Sequence, residues 1–169
     1  MINSTNISEI LEYIHSIKTK ENNQYFQIFI GEHSKIDIPL LIDTLNAENI
    51  NFFGGIYPAV LSGLEHSETG IVIESIKSNS KPVFVNIENE KIDIPTINCP
   101  NGGCLLTLID GVSQNINLFL EELYNQYSDQ VSYLGGGAGS LSFVQKPCLF
   151  SNEGIFQDVA LLFLLENQS

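Results

Sequence analysis

The chain contains no arginine. Seven of its 169 residues are basic, all of them lysines, against 20 acidic residues, and the formal net charge is −13. A nucleic acid is held by a concentrated positive face that displaces counterions from phosphate, and an anionic membrane surface asks for the same. Scattered, outnumbered lysines supply neither, so both partners are excluded. Without a guanidinium fork no side chain clamps a carboxylate or phosphate at two points. An anionic ligand group must then meet backbone N–H donors or a single lysine. Long hydrophobic runs are also missing. The longest, Val159 to Leu165, falls far short of the ~20 residues that span a bilayer. Glu9, Glu12 and His15 interrupt the apolar residues of Met1 to Glu21, unlike a signal peptide. A soluble, cytoplasmic protein is expected. Cysteine is scarce. The odd set Cys99, Cys104 and Cys148, with no export signal, opposes a disulfide framework. Cys99 and Cys104 lack a second pair or paired histidines to complete a zinc site. No His-Glu-x-x-His, Gly-x-Ser-x-Gly or Gly-x-x-x-x-Gly-Lys pattern occurs. No metal or cofactor is expected.

What is present suits one globular domain with a real core, since 43% of residues are hydrophobic and 16% charged. Asn6 and Glu9 form a capping signature before Ile7, Ile10, Leu11, Ile14 and Ile17, which predicts an amphipathic helix ending near Lys18. Residues 1–24 read as this helix and a polar linker, and residues 25–169 as the main domain. Tyr25 to Ile30 reads as a strand stopping at Gly31. Asp37 caps a helix with Pro39 in its first turn and Leu40, Leu41 and Leu45 on one face. Ile50 to Phe53 reads as a buried strand ending at Gly54-Gly55. Thr69 to Ile76 and Val83 to Ile87 read as a hairpin, and Ile92 to Gly103 as a loop.

A second pass follows. Cys104 to Ile109 is a strand before Gly111. Ser113 or Asn115 caps a helix with Ile116, Phe119, Leu120, Leu123 and Tyr127 at helical spacing. Val131 to Leu134 is a strand ending in Gly135-Gly136-Gly137. Leu141 to Phe150 and Ile155 to Leu165 are β-like, although Pro147 demands an edge or a break. The landmarks recur at an offset of about 80 residues, which points to an internal duplication of residues 25–90 and 104–169. The expected fold class is α/β, mixed α+β, with two similar β-α-β-hairpin halves and helices packed on the sheet faces.

The glycine segments are the candidates for binding. Gly135, Gly136, Gly137, Ala138, Gly139 and Ser140 bring backbone close to whatever lies beside them. A strand rather than a helix follows, which opposes a dinucleotide loop. The competing reading is a tight, close-packed turn. Gly54 and Gly55, followed by Tyr57, are the counterpart, with Tyr57 either lining a pocket or simply packed. Glu65 and Glu68, near the first glycine turn, could meet an amine. Cys104 is a candidate nucleophile or a small core residue; no histidine is near it in sequence.

At these glycine turns the chain resembles the FIST domain, specifically its N-terminal half. The features are Gly54-Gly55 before small residues and a hairpin, then a strand ending at Gly111, an amphipathic helix, and Leu134 to Gly139 before another hairpin. The likeness spans Tyr25 to the C-terminus. It implies a sensory module of signal transduction that binds a small ligand such as an amino acid, with no defining catalytic residues. Ile56-Tyr57-Pro58 departs from the smaller residues usual in that family. Family members usually continue into a C-terminal FIST half, which would be a partner of this one. The reading taken forward is a non-catalytic sensor whose pocket is lined by the two glycine segments, with a signalling protein as further partner. The alternatives are a thiol enzyme using Cys104, or an interaction module docking through Ile7 to Ile17.

Overall fold

A computed structural model describes residues 5–99 and 102–166. The order of elements is α1 (Ile7–Ile17), β1 (Gln24–Gly31), α2 (Ile38–Ala47), β2 (Phe52–Tyr57), β3 (Val60–Ser62), β4 (Glu65–Ser67), β5 (Ile71–Lys77), β6 (Val83–Asn86), β7 (Cys104–Asp110), α3 (Ile116–Tyr127), β8 (Ser132–Ala138), β9 (Leu149–Ser151), β10 (Gly154–Phe156) and β11 (Val159–Leu165). The fold is mixed α+β. Strand order is β10-β9-β2-β1-β5 in one sheet and β6-β11-β7-β8 in a second, with β3 and β4 paired by themselves.

Local chemistry places the helices as their caps require. Asn6 Oδ1 accepts from the Ser8 N–H at 3.0 Å, and Asp37 Oδ1 accepts from the Leu40 N–H at 3.0 Å. Asn115 precedes α3 but makes no such bond; its amide donates instead to the carbonyls of Ile87 and Glu88. Leu40 is an exception to its expected face. It lies a hundred degrees around the helix from Leu41 and is exposed, while Ile38, Leu41, Ile42 and Leu45 are buried.

Three apolar clusters layer the molecule as helices, sheet, sheet, helix. Ile10 and Ile14 of α1 and Leu41 and Leu45 of α2 pack with Phe26, Ile28 and Phe52 on the outer face of the first sheet. The apolar stripe of α1 is therefore covered by its own sheet, which removes it as a docking face. Phe119, Leu123 and Tyr127 of α3 cover Leu105, Ile109 and Leu162 on the outer face of the second. Tyr25, Phe53, Leu108, Leu149, Leu161 and Phe163 fill the space between the sheets.

The two sheets share one topology. In each, a strand runs into a helix and a parallel neighbour, and a hairpin follows. A third strand then returns antiparallel on the other side, giving β2-β1-β5 and β8-β7-β11. Several expected details differ. The hairpins are β3–β4 and β9–β10, not β5–β6. The link 78–82 carries the chain between sheets, so β6 pairs with β11. Ser78 marks the crossing: its N–H donates to the Asn23 carbonyl and its hydroxyl to that of Leu164. Residues 141–148 form no strand, for Phe143 sits at φ 53° and Pro147 has no N–H to pair. The loop from Ile92 is irregular as expected, though its Pro100 and Asn101 lie outside the described residues. The double glycines lie within β2 and β8 rather than at their ends.

Candidate functional site

Gly54 and Gly135 occupy matching places, opposite Ile28 on β1 and Thr107 on β7. At each, a Cβ would fall onto the carbonyl oxygen of that opposing residue. Close approach of the parallel pair explains both glycines without a ligand. Gly55 makes room for the Tyr57 ring, which would lie 3.0 Å from a Cβ there. Both Gly54 and Gly55 are buried beneath β9, with which they pair, so they are framework rather than pocket wall. Gly136 is different: a Cβ there would meet open space.

The end of β2 and the turn after β8 meet, although Gly54 and Gly55 themselves lie apart from the contact. The Gly139 N–H donates to the Ile56 carbonyl at 2.7 Å. Beside this contact a cavity of about 210 Å³ is lined by Pro58, Gly111, Val112, Gly137 to Leu141 and Phe143. Three of these lining residues are glycines, and Gly139 holds φ +126°, a conformation open to glycine at little cost. Leu141 and Phe143 of this lining stand exposed. Tyr57 itself turns inward. Its ring lies edge-on to Phe29 at 4.8 Å, and its buried hydroxyl has no hydrogen-bond partner.

The expected carboxylates stand elsewhere. Glu65 is exposed on β4, and Glu68 faces His33 at 3.5 Å. Glu32 takes the place that they were given. The Ser140 hydroxyl and the Leu141 N–H hold its carboxyl below the usual carboxylate range, helped by His33 and Lys146. Sequence reading missed Glu32 because it directly follows the strand and carries no motif.

Behind the turn lies a polar cluster that the sequence reading also missed. Asp110, almost fully buried at the end of β7, accepts from the N–H groups of Val112 and Asp158 and from the Gln145 amide at 2.6 Å. The Ser113 hydroxyl and Gln145 Oε1 are buried nearby without partners. Burial, and then the Asp110 carboxylate beside it, push the Cys148 thiol up to about 12. That thiol is inert at neutral pH. A lone carboxylate closing the strand Leu105 to Ile109, apolar but for Thr107, was the available signal. Cys104 opens β7 opposite Ser132 and Leu165. All three histidines fall earlier in the chain, on α1, after β1 and on β4.

A second, larger hollow of about 570 Å³ runs between α3 and β8, lined by Thr107, Ile116, Leu120, Tyr124, Tyr133 and Gly135 to Gly137 among others. No helix among the described residues is long and apolar enough to cross a membrane. No curated protein and no solved structure matches the chain. The family model for the FIST N domain matches residues 24–169, covering β1 to β11, and the chain therefore belongs to the FIST N domain family, a family of sensory modules in signal transduction.

Proposed function

We infer that this FIST N domain is a cytoplasmic, non-catalytic sensor whose cavity over the glycine turn takes a ligand on the scale of one amino acid. The observation that carries this reading is a glycine-rich cavity lined by Ser140 and Leu141, the same two residues whose hydroxyl and N–H lower the pKa of the Glu32 carboxyl. At about 210 Å³ it is smaller than the ~300–1,000 Å³ typical of drug-sized ligand sites. An ammonium group would meet Glu32. A carboxylate would meet N–H donors of the turn, since the chain has no guanidinium to offer. Leu141 and Phe143 would close over the ligand's apolar part. A C-terminal FIST domain or a signalling protein would receive the signal. Thermal-shift measurements against the twenty amino acids and a panel of small metabolites test this. A ligand at 100 times its Kd adds about 2.7 kcal/mol, a shift of several degrees. The shift should confine itself to one chemical class and shrink in Glu32→Gln and Phe143→Ala. Silence across the panel, or a hit indifferent to both substitutions, sinks the reading.

A further inference from the structure

β2 and β8 hold the same position in their sheets, but among the described residues only β2 has a neighbour on its outer side. There β9 pairs antiparallel, with Phe150 opposite Gly54. Phe150 is fully buried and joins the α2 cluster together with Ile155. β8 ends its sheet, and where Phe150 would lie the hollow between α3 and β8 is filled by none of the described residues. The chain cannot fill it with its own β3–β4 hairpin. That hairpin pairs in the same register as β9–β10, Leu61 opposite His66 as Phe150 is opposite Ile155. However, only Pro58 and Ala59 tether it to β2, whereas residues 139–148 tether β9 to β8. A two-residue link spans roughly 10 Å from Tyr57 to Val60, and the hairpin stays by β1 and β5.

The charge around the hollow indicates what would fill it. From residue 92 to residue 145, which include β7, α3 and β8, there is no lysine, arginine or histidine. Glu121 stands one turn before Tyr124 on α3, and Asp129 lies close enough to Tyr133 to act on its hydroxyl. A second copy would bring a net charge of −13 to this acidic rim.

We propose that the outer edge of β8 takes an extended segment of a partner protein, paired as β9 is on β2. A large apolar residue of that segment lies opposite Gly135 beside Leu120 and Tyr124, and flanking lysines or arginines meet Glu121 and Asp129. Strand addition of this kind draws affinity from main-chain hydrogen bonds and selectivity from the side-chain pocket. The probe is a synthetic hairpin peptide, Lys-Leu-Phe-Lys-Asn-Gly-Lys-Ile-Phe-Lys, labelled for fluorescence anisotropy. Its control has every lysine replaced by glutamate. The basic peptide should bind the full chain, weaken as salt rises, and shift the backbone amides of Gly135 to Gly137 in NMR spectra. The acidic peptide and Leu120→Asp should each lower affinity by about tenfold or more, while Leu61→Asp changes nothing. If Leu120→Asp fails to fold, Tyr124→Asp replaces it, since both side chains are exposed. Equal affinity for the two peptides overturns the proposal, as does the failure of both to bind, or binding that leaves the β8 amides unmoved. A concentration-dependent dimer that Leu61→Asp dissolves also overturns it, because the occupant is then the hairpin of a second copy.

Discussion

The two hairpins make the most instructive pair in the molecule. β9–β10 and β3–β4 pair in identical register, yet one is core and the other is surface. Phe150 is 0% exposed and Leu61, in the corresponding place, is 72% exposed. The turn residues differ in the same direction. Asn152 receives the Phe52 N–H on its Oδ1 and donates to the Ile50 carbonyl and to Asn46 Oδ1, locking its hairpin to α2 and β2. The matching Gly63 has no side chain and stands in open space. Pairing within a hairpin is thus the lesser part of its stability. What matters is the sheet edge that it closes and the length of chain that lets it arrive there.

Substitutions can break this comparison. Gly54→Ala should be the most damaging, costing more than about 4 kcal/mol, because a methyl strikes the Ile28 carbonyl between two paired strands. Gly135→Ala meets the same oxygen on β7 but should cost less, since β8 has a free side to move toward. Urea midpoints of the two variants measure the difference. Next comes Phe150→Ala, at about 3–5 kcal/mol, against less than about 0.5 kcal/mol for Leu61→Ala. Equal losses would mean that the two hairpins are held alike.

Alkaline pH sharpens the comparison by a third route. The Cys148 thiol titrates near 12 when folded and near 9 when unfolded. Between those values the unfolded chain releases a proton that the folded chain keeps. Stability contributed by the buried thiol is therefore complete below pH 9 and falls as pH rises, by up to about 1.4 kcal/mol per unit. Burial, followed by the neighbouring Cys148, raises the Tyr57 hydroxyl, which adds to the loss above pH 10. Urea unfolding at pH 8 and pH 10.5 should show this slope, and Cys148→Ala should flatten it. The smallest effect belongs to Gly136→Ala. With no atom in its way it should change stability by less than about 0.5 kcal/mol. A large loss there would give the glycine a structural duty that the fold does not show.

Where the sequence could be read and where it could not follows the range of the forces involved. Asn6, Asp37 and the apolar spacing of Phe119, Leu123 and Tyr127 act within a turn or two, and the helices came out to within a residue or so. Gly54 and Gly135 lie inside their strands and not at the ends expected for them. Their reason lies across the sheet, in the carbonyls of Ile28 and Thr107, which no local pattern reveals. The link 78–82 reads locally like a turn, and only Ser78, bonded to both Asn23 and Leu164, shows that it changes sheets. Around the candidate cavity, Gly137 and Gly139 stand out in composition, although Ala138 between them belongs to the core. Glu32 and Asp110 do not, because each gains its meaning from a partner more than thirty residues away.

The crossing strands have a consequence for synthesis. As the chain leaves the ribosome, β1, α2 and β2 appear early, but the β2 edge stays bare until Phe156 has emerged. β6 likewise waits for β11, more than seventy residues later. The first sheet cannot be completed until most of the second has been made. Contacts of such long sequence range form slowly and late. The nascent chain must carry an open, apolar sheet edge until β9 and β10 have emerged, and the second sheet waits for β11 after them.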